Sequence, residues 1–545
     1  MSNKYIVKGK VYTGHDNDIL SYADAFFVKN GVIGHVGSFD EVKAYDKLDG
    51  NGLAKILDFG DSFISPGFTD GHAHISFAKT LVGGIELASG KSIEDYIGLM
   101  RQFKEKHPEL TFVRGQGYSP NVFPETGPTK EIIDEVYPDI PVVLQSDGLH
   151  ESWVNSAFLK YAGINADTPD VANGTIVRDE TGEPTGSFLE EATDIVMEHC
   201  PEATVEQYKK AIIYFQEKVL PYGTINVFEP IINDEVVVKA YKELIDEGRL
   251  KLKVRAGYKL NQEDDVDEAL LKIKSLNSII EDERFEINAV KLFMDGVVEN
   301  HTAFLLEPYL DIPDFVGDAL WEQEPLNEAV LKILDAGYAI HTHAIGDGGV
   351  ERILQAFEYA VPKTKNKELR NVITHLQVVD PSHYERMAKL NIIGVVNTFW
   401  HFKTHSYYFT RELPWLGHER VDIEYPLRSL FDAGVLLSQA SDWPVSEPPE
   451  ALHGLEIGLT RKAPGSPDDS PLNENEAMNI ADMYDVITKN GAYQLGTEDE
   501  NGTLEIGKKA DFVVLDNNPF ETDVYDIHAI KVNNVFIDGE EVYRR

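Results

Sequence analysis

Short runs in which apolar and polar residues alternate mark both ends of the chain. Lys4–Tyr12 alternates, Ala25–Lys29 is apolar, and Asn30-Gly31 is a hairpin dipeptide followed by Val32-Ile33-Gly34-His35-Val36. At the far end Ala510–Leu515 and Ala529–Val535 are strand-like, and Asp538-Gly539 before Glu540–Tyr543 reads as a last hairpin. Each terminal piece is too small to bury a core alone. The pattern therefore predicts that residues 1–61 and 486–545 pair into one small β-sandwich.

Between them, residues 62–485 alternate apolar runs with longer stretches at helical spacing, the pattern of a parallel α/β fold. Candidate strands are Ser62–Thr69, Thr224–Phe228, Leu252–Gly257, Ile287–Phe293, Tyr338–His343, Asn371–Leu376, Ile392–Asn397 and Val435–Ala440. Eight strands close a (β/α)8 barrel of the TIM type. Helices are expected over Thr204–Leu220, Asp234–Glu247, Asn327–Ala336 and Gly348–Ala360. The crossover after the first strand, from about His74 to Tyr222, is far too long for one helix. It must hold an insertion, placed at about residues 112–191, where Gly, Pro and short strands cluster.

A length of 545 residues suits such a barrel with an attached module, and 42% hydrophobic with 26% charged residues suits a soluble globular protein. Net charge is 50 − 92 = −42. That field repels phosphate backbones and anionic lipid, which excludes nucleic acid and membrane surfaces as expected partners. Cys200 is the single cysteine, so neither an internal disulfide nor a multi-thiolate metal site can form, as suits a reducing cytoplasm. Met1–Tyr12 lacks the basic-then-apolar pattern of a secretory leader, and no 18 apolar residues run together. The expectation is a cytoplasmic protein acting on a small molecule. Barrels of this kind commonly pair, so a homodimer is compatible.

Chemistry-bearing residues fall at the ends of the candidate strands. Asp70-Gly71-His72-Ala73-His74 closes the first, and histidines at i and i+2 on a strand project to one side, within reach of one cation. Lys291 lies inside the apolar run Ala289–Phe293, where an ammonium is costly to bury. It reads either as a salt-bridged rim lysine or as an amine that has added carbon dioxide, giving a carbamate able to bridge two cations. His341 and His343 share one face of the fifth strand, His375 ends the sixth, and Asp442 ends the eighth. Singly, each has a structural explanation as core histidine, capping aspartate or rim lysine. Together, at successive strand ends, they form a ligand set of imidazoles and carboxylate suited to zinc, iron, manganese or nickel.

These residues sit in strings that resemble the amidohydrolase superfamily, in its branch of YtcJ-like and N-substituted formamide deformylase-like proteins. Phe63–His74 resembles the opening motif; Trp153-Val154-Asn155-Ser156 and Arg178-Asp179 with Gly186 resemble the branch's insertion. Lys291–Gly296, His343–Asp347 and Gly502–Asp511 resemble three further strings. Two departures stand out: Thr374-His375-Leu376-Gln377 replaces the usual Glu-His-Ala-Gln, and the bulky Trp443 follows Asp442. The resemblance implies His72, His74, Lys291, His343, His375 and Asp442 as the metal and catalytic set, and favours His343 over His341 as ligand.

On that reading one or two divalent metals, zinc first among them, are held with Lys291 carboxylated on its amine, and Asp442 is the catalytic base and acid. The implied activity is hydrolysis of a non-peptide C–N bond in an amide, formamide or related N-acyl compound. A deaminase or cyclic-amide hydrolase on the same site, and a non-catalytic binding barrel, are the alternatives. The aromatic stretch Asn397–Tyr408 brings Trp400 forward as a substrate contact, and Trp153 with His150 as a lid from the insertion.

Overall fold

The computed structural model describes residues 4–16, 19–50, 54–79, 82–124 and 126–545. Eight parallel strands run in unbroken order: β1 (Phe68–Asp70), β2 (Thr224–Glu229), β3 (Lys253–Lys259), β4 (Phe285–Phe293), β5 (Ala339–Ala344), β6 (Val372–His375), β7 (Ile393–Val396) and β8 (Leu437–Gln439). Just past β1, the Gly71 N–H donates to Gln439 O of β8 at 2.8 Å, so the sheet nearly closes on itself. This is the TIM-like barrel that the strand spacing predicts.

The first strand differs from expectation. Ser62–Thr69 is two elements, because Lys55–Pro66 belongs to another sheet and only Phe68–Asp70 enters the barrel. Pro66 has no N–H to continue a ladder. At Gly67 a Cβ would lie 2.5 Å from Ile225 Cδ1, so only glycine lets the chain step this closely past β2.

The helices follow their apolar periodicity. Val205–Val219, Glu235–Asp246, Gln323–Asp335 and Asp347–Ala360 each begin within a few residues of their sequence-predicted starts. The second is capped by Asp234, whose side chain accepts the Val236 N–H and so satisfies a donor that the helix itself cannot.

Both ends of the chain enter one seven-stranded mixed sheet, ordered Glu540–Arg544, Val532–Ile537, Phe512–Leu515, Lys55–Pro66, Lys4–Asp16, Ile19–Lys29, Val32–Gly37. Val7, Val11, Phe26, Val28, Phe512, Val514 and Phe536 form its buried face. Asn30-Gly31 makes the expected hairpin with φ of 52° and 81°, the left-handed pair that a tight β-turn demands. A buried ion pair fastens this sheet to the barrel: Lys253 Nζ of β3 lies 2.7 Å from Asp511 Oδ2 and 3.1 Å from Asp538 Oδ1.

The chain divides into two compact units, Met1–Ala73 with Phe215–Arg545, and His74–Tyr214. The second contains the segment expected as an insertion and extends beyond it on both sides. Its six-stranded sheet runs Gly174–Arg178, Pro184–Glu190, Glu151–Val154, Val142–Ser146, Val113–Tyr118, Ile85–Glu86. Tyr96, Tyr118, Leu144 and Trp153 are among its core residues. Among the described residues, no helix is long and apolar enough to cross a membrane.

Candidate metal centre

The C-terminal strand ends carry the site. Beyond β1 the chain is pinned on both sides: Ala73 N–H donates to Phe228 O at 2.9 Å, and Asp442 N–H donates to His72 O at 2.8 Å. Buried Asp70 ties the first strand end to the eighth by accepting the Ser441 N–H at 3.0 Å and the Ser441 hydroxyl at 2.5 Å. Burial pushes its carboxyl up to about 6, against these hydrogen bonds.

His72, His74 and Asp442 each present a buried ligand atom, and the three atoms lie within 4.8 Å of one another. His72 Nε2 is 3.4 Å from Asp442 Oδ1. Two imidazoles and a carboxylate without thiolate fit a divalent cation of the borderline class. The other face of His72 is also engaged: its Nδ1 lies 2.8 Å from Nε2 of His341. His341 in turn stacks on Phe228, with ring centroids 4.3 Å apart.

Lys291 is wholly buried, and its Nζ has no hydrogen-bond partner among the described residues. Burial lowers its ammonium to about 7, with Asp442 opposing and Lys259 adding to the shift. A salt-bridged rim lysine, one of the two sequence readings, does not describe this position.

His343 and His375 form a second group, their ring centroids 4.5 Å apart, and the His375 ring is 5.2 Å from that of His72. His375 Nδ1–H donates to Asn397 Oδ1 at 2.9 Å, which leaves Nε2 as a lone-pair donor. His343 Nε2–H donates to Gly296 O at 3.1 Å, which leaves Nδ1. Burial, with the charges of His343 and Lys291 beside it, holds His375 well below the usual imidazole range and therefore neutral.

Backbone geometry at these residues is unusual. His375, Leu376 and Asp442 have φ of 78°, 52° and 55°. A left-handed conformation costs a non-glycine residue about 1–3 kcal/mol, and such strain collects at functional sites. Its effect is to turn the side chain out of the alternation that a strand would impose.

The sequence profile of the amidohydrolase family matches residues 55–543. The chain belongs to the amidohydrolase family. It is 28% identical over 534 residues to YtcJ of Bacillus subtilis, covering 96% of each chain. It is 26% identical over 542 residues to the N-substituted formamide deformylase of Arthrobacter pascens, again covering 96% of each. In fold it is similar to an uncharacterized metal-dependent hydrolase from Pyrococcus horikoshii, with a TM-score of 0.77 and 24% identity, covering 96% of this chain and 99% of that one.

The family strings have a physical basis here. Asp295, four residues after Lys291, is fully buried and accepts N–H bonds from Phe304 at 3.0 Å, Ile345 at 3.0 Å and Gly346 at 2.7 Å. One carboxylate thus holds the turn that follows His343. Gly346 is required in that turn, because a Cβ would lie 2.0 Å from Phe304 O. Asp347 accepts the Leu306 N–H at 2.9 Å and secures the same loop. Sequence reasoning assigns no role to Asp70, Asp295 or Asn397, and weighs His341 only as the alternative ligand to His343. The available signal is a polar residue closing an apolar run.

Trp400 stacks on His375, with centroids 5.4 Å apart and planes 12° apart, while its indole N–H donates to Ser446 Oγ at 3.0 Å. Trp443, bulky in sequence, is fully buried against Phe215 at 5.0 Å. Within the inserted unit, Trp153 is fully buried between Tyr118 and Phe123 and donates its indole N–H to Thr129 O at 2.9 Å. His150 is half-buried, its Nδ1 2.7 Å from Glu190 Oε2.

Proposed function

We propose that this protein is a metal-dependent hydrolase that cleaves a non-peptide C–N bond in an amide, formamide or related N-acyl compound. The observation that carries the reading is the cluster of His72, His74 and Asp442 ligand atoms within 4.8 Å at the strand ends of an amidohydrolase barrel. Similarity to an N-substituted formamide deformylase along nearly the whole chain supports the bond type.

A divalent cation bound there would polarise a carbonyl oxygen and lower the pKa of water. His72 and His74 would hold it with Asp442, while Lys291, His343 and His375 supply the donors for a second cation, with Lys291 carboxylated on its amine. Asp442 is also the base and the acid, as its carboxylate takes a proton from the attacking water and returns it to the leaving nitrogen. Trp400, lying flat against His375, gives an apolar or ring-bearing acyl or amine group a surface to rest on.

The grouping of only three ligand atoms among the described residues favours a second reading, a single-cation deaminase. Metal analysis of the purified protein separates the two. Two equivalents of metal with release of formate or acetate from N-acyl amines support the first reading; one equivalent with ammonia release supports the second. In either case Asp442→Asn should retain at least one metal and lose about 10²–10⁴-fold in kcat. An Asp442→Asn protein with metal bound and normal turnover would overturn the mechanism.

A further inference from the structure

We propose that Lys259 is a specificity-determining residue that binds an anionic group, a carboxylate, on the substrate. The inference rests on the hydrolase reading above and names the substrate class within it.

Lys259 is the last residue of β3, and in the sheet register it pairs with Lys291 of β4. Register partners on neighbouring parallel strands share a face of the sheet, so both side chains lie on the same side. Both ammonium groups in fact lie over one ring: Lys291 Nζ is 4.7 Å and Lys259 Nζ 5.5 Å from the centre of Phe293. Phe293 itself packs on His343, with ring centroids 4.9 Å apart. Lys259 is therefore at the rim of the metal centre, one ring away from a ligand. It is half-buried, between solvent and the site.

Its position is held from the backbone. Lys259 N–H donates to Asn233 Oδ1 at 2.8 Å, and Asn233 Nδ2 donates to Lys259 O at 2.7 Å. Its charge, in contrast, is unmatched. Among the described residues no carboxylate lies within ion-pair distance of Lys259 Nζ, although the chain carries 92 acidic residues against 50 lysines and arginines. Its register neighbour across the sheet is Lys291. An acidic protein that keeps an ammonium without a carboxylate partner at the rim of its metal centre leaves a charge that an incoming anion would satisfy. One fixed ammonium suits a monoanion such as a carboxylate, because a phosphate dianion calls for several donors. The contact with Phe293 orients the lysine and leaves its N–H donors unused.

The test compares two ligands that differ only in the carboxylate, N-formylphenylalanine and N-formyl-2-phenylethylamine, on the metal-loaded protein. Binding is measured by calorimetry and turnover by formate release. The unaltered protein should favour the acid by about tenfold to hundredfold, the worth of one charge-assisted hydrogen bond. Lys259→Met should remove that preference and leave the neutral compound within threefold, while Lys259→Arg should keep it; Lys259→Gln repeats the test should the methionine variant fold poorly. Equal binding of the two compounds, or a preference that survives in Lys259→Met, overturns the proposal. A variant that loses metal while its preference is unchanged overturns it too, assigning Lys259 to Lys291 instead. The two readings fail separately: a Lys259-dependent preference in binding without hydrolysis of either compound leaves the anchor standing and removes the hydrolase. Hydrolysis of both compounds alike removes the anchor only.

Discussion

His72 and His341 are joined ring to ring, Nδ1 to Nε2 at 2.8 Å. Only one of the two nitrogens can carry the proton. If His72 is to offer its Nε2, the atom that faces Asp442, as a lone pair, its proton must be on Nδ1 and His341 must accept it. His341 thus selects the tautomer in which His72 is a ligand, and its stacking on Phe228 keeps the acceptor in place.

His341→Phe keeps the stacked ring and removes the acceptor. It should weaken metal binding by about 10–100-fold in a chelator competition, with little loss of thermal stability. His341→Gln, which restores an acceptor oxygen, should recover part of the affinity. Unchanged affinity in the phenylalanine variant would show that His341 only fills space.

Asp295 organises the turn after His343 through three backbone N–H groups. Asp295→Ala strands these donors in a buried position and should cost about 2–4 kcal/mol in denaturant unfolding. The same change should lower bound metal if His343 is a metal donor as proposed, because the turn it loosens begins one residue after His343. A protein of normal stability with full metal would refute this account.

The pair Glu412 and Glu424 makes stability depend on pH. Both are buried, and Gln377 Nε2 donates to Glu412 Oε1 at 2.7 Å and to Glu424 Oε2 at 3.4 Å. Burial drives both carboxyls up, Glu424 from an ordinary 4.5 to about 8. A raised folded-state pKa means that the folded chain keeps a proton which the unfolded chain releases. The resulting stability is complete below the unfolded value near 4.5 and is lost as pH rises through about 8. Glu424→Gln is a permanent mimic of the protonated form. Its melting temperature, relative to the unaltered protein, should climb steadily from about pH 5 to about pH 8. A constant difference across that range would mean that the pair stays ionised when folded.

Much of the architecture is legible in local pattern. Alternation and helical spacing are properties of consecutive residues, so seven of the eight barrel strands and four helices can be placed without any tertiary contact. The candidate ligands can be read for the same reason: His72, Lys291, His343, His375 and Asp442 each end or interrupt an apolar run with a group that is costly to bury. The end of Lys55–Pro66 is not legible in this way, because periodicity continues through Pro66-Gly67 although the chain changes sheets there.

What tertiary structure alone decided are the pairings. His341 cannot be told from His343 by spacing, since both share a strand face; they differ because one meets His72, 269 residues away, and the other meets Gly296. The inward turn of His375 and Asp442 depends on positive φ angles, which break the two-residue alternation that sequence reasoning relies on. Lys259 resembles any strand-end lysine until the register sets it beside Lys291. A sequence specifies which groups are costly to bury, whereas their partners depend on how distant strand ends converge, and that is a property of the closed barrel.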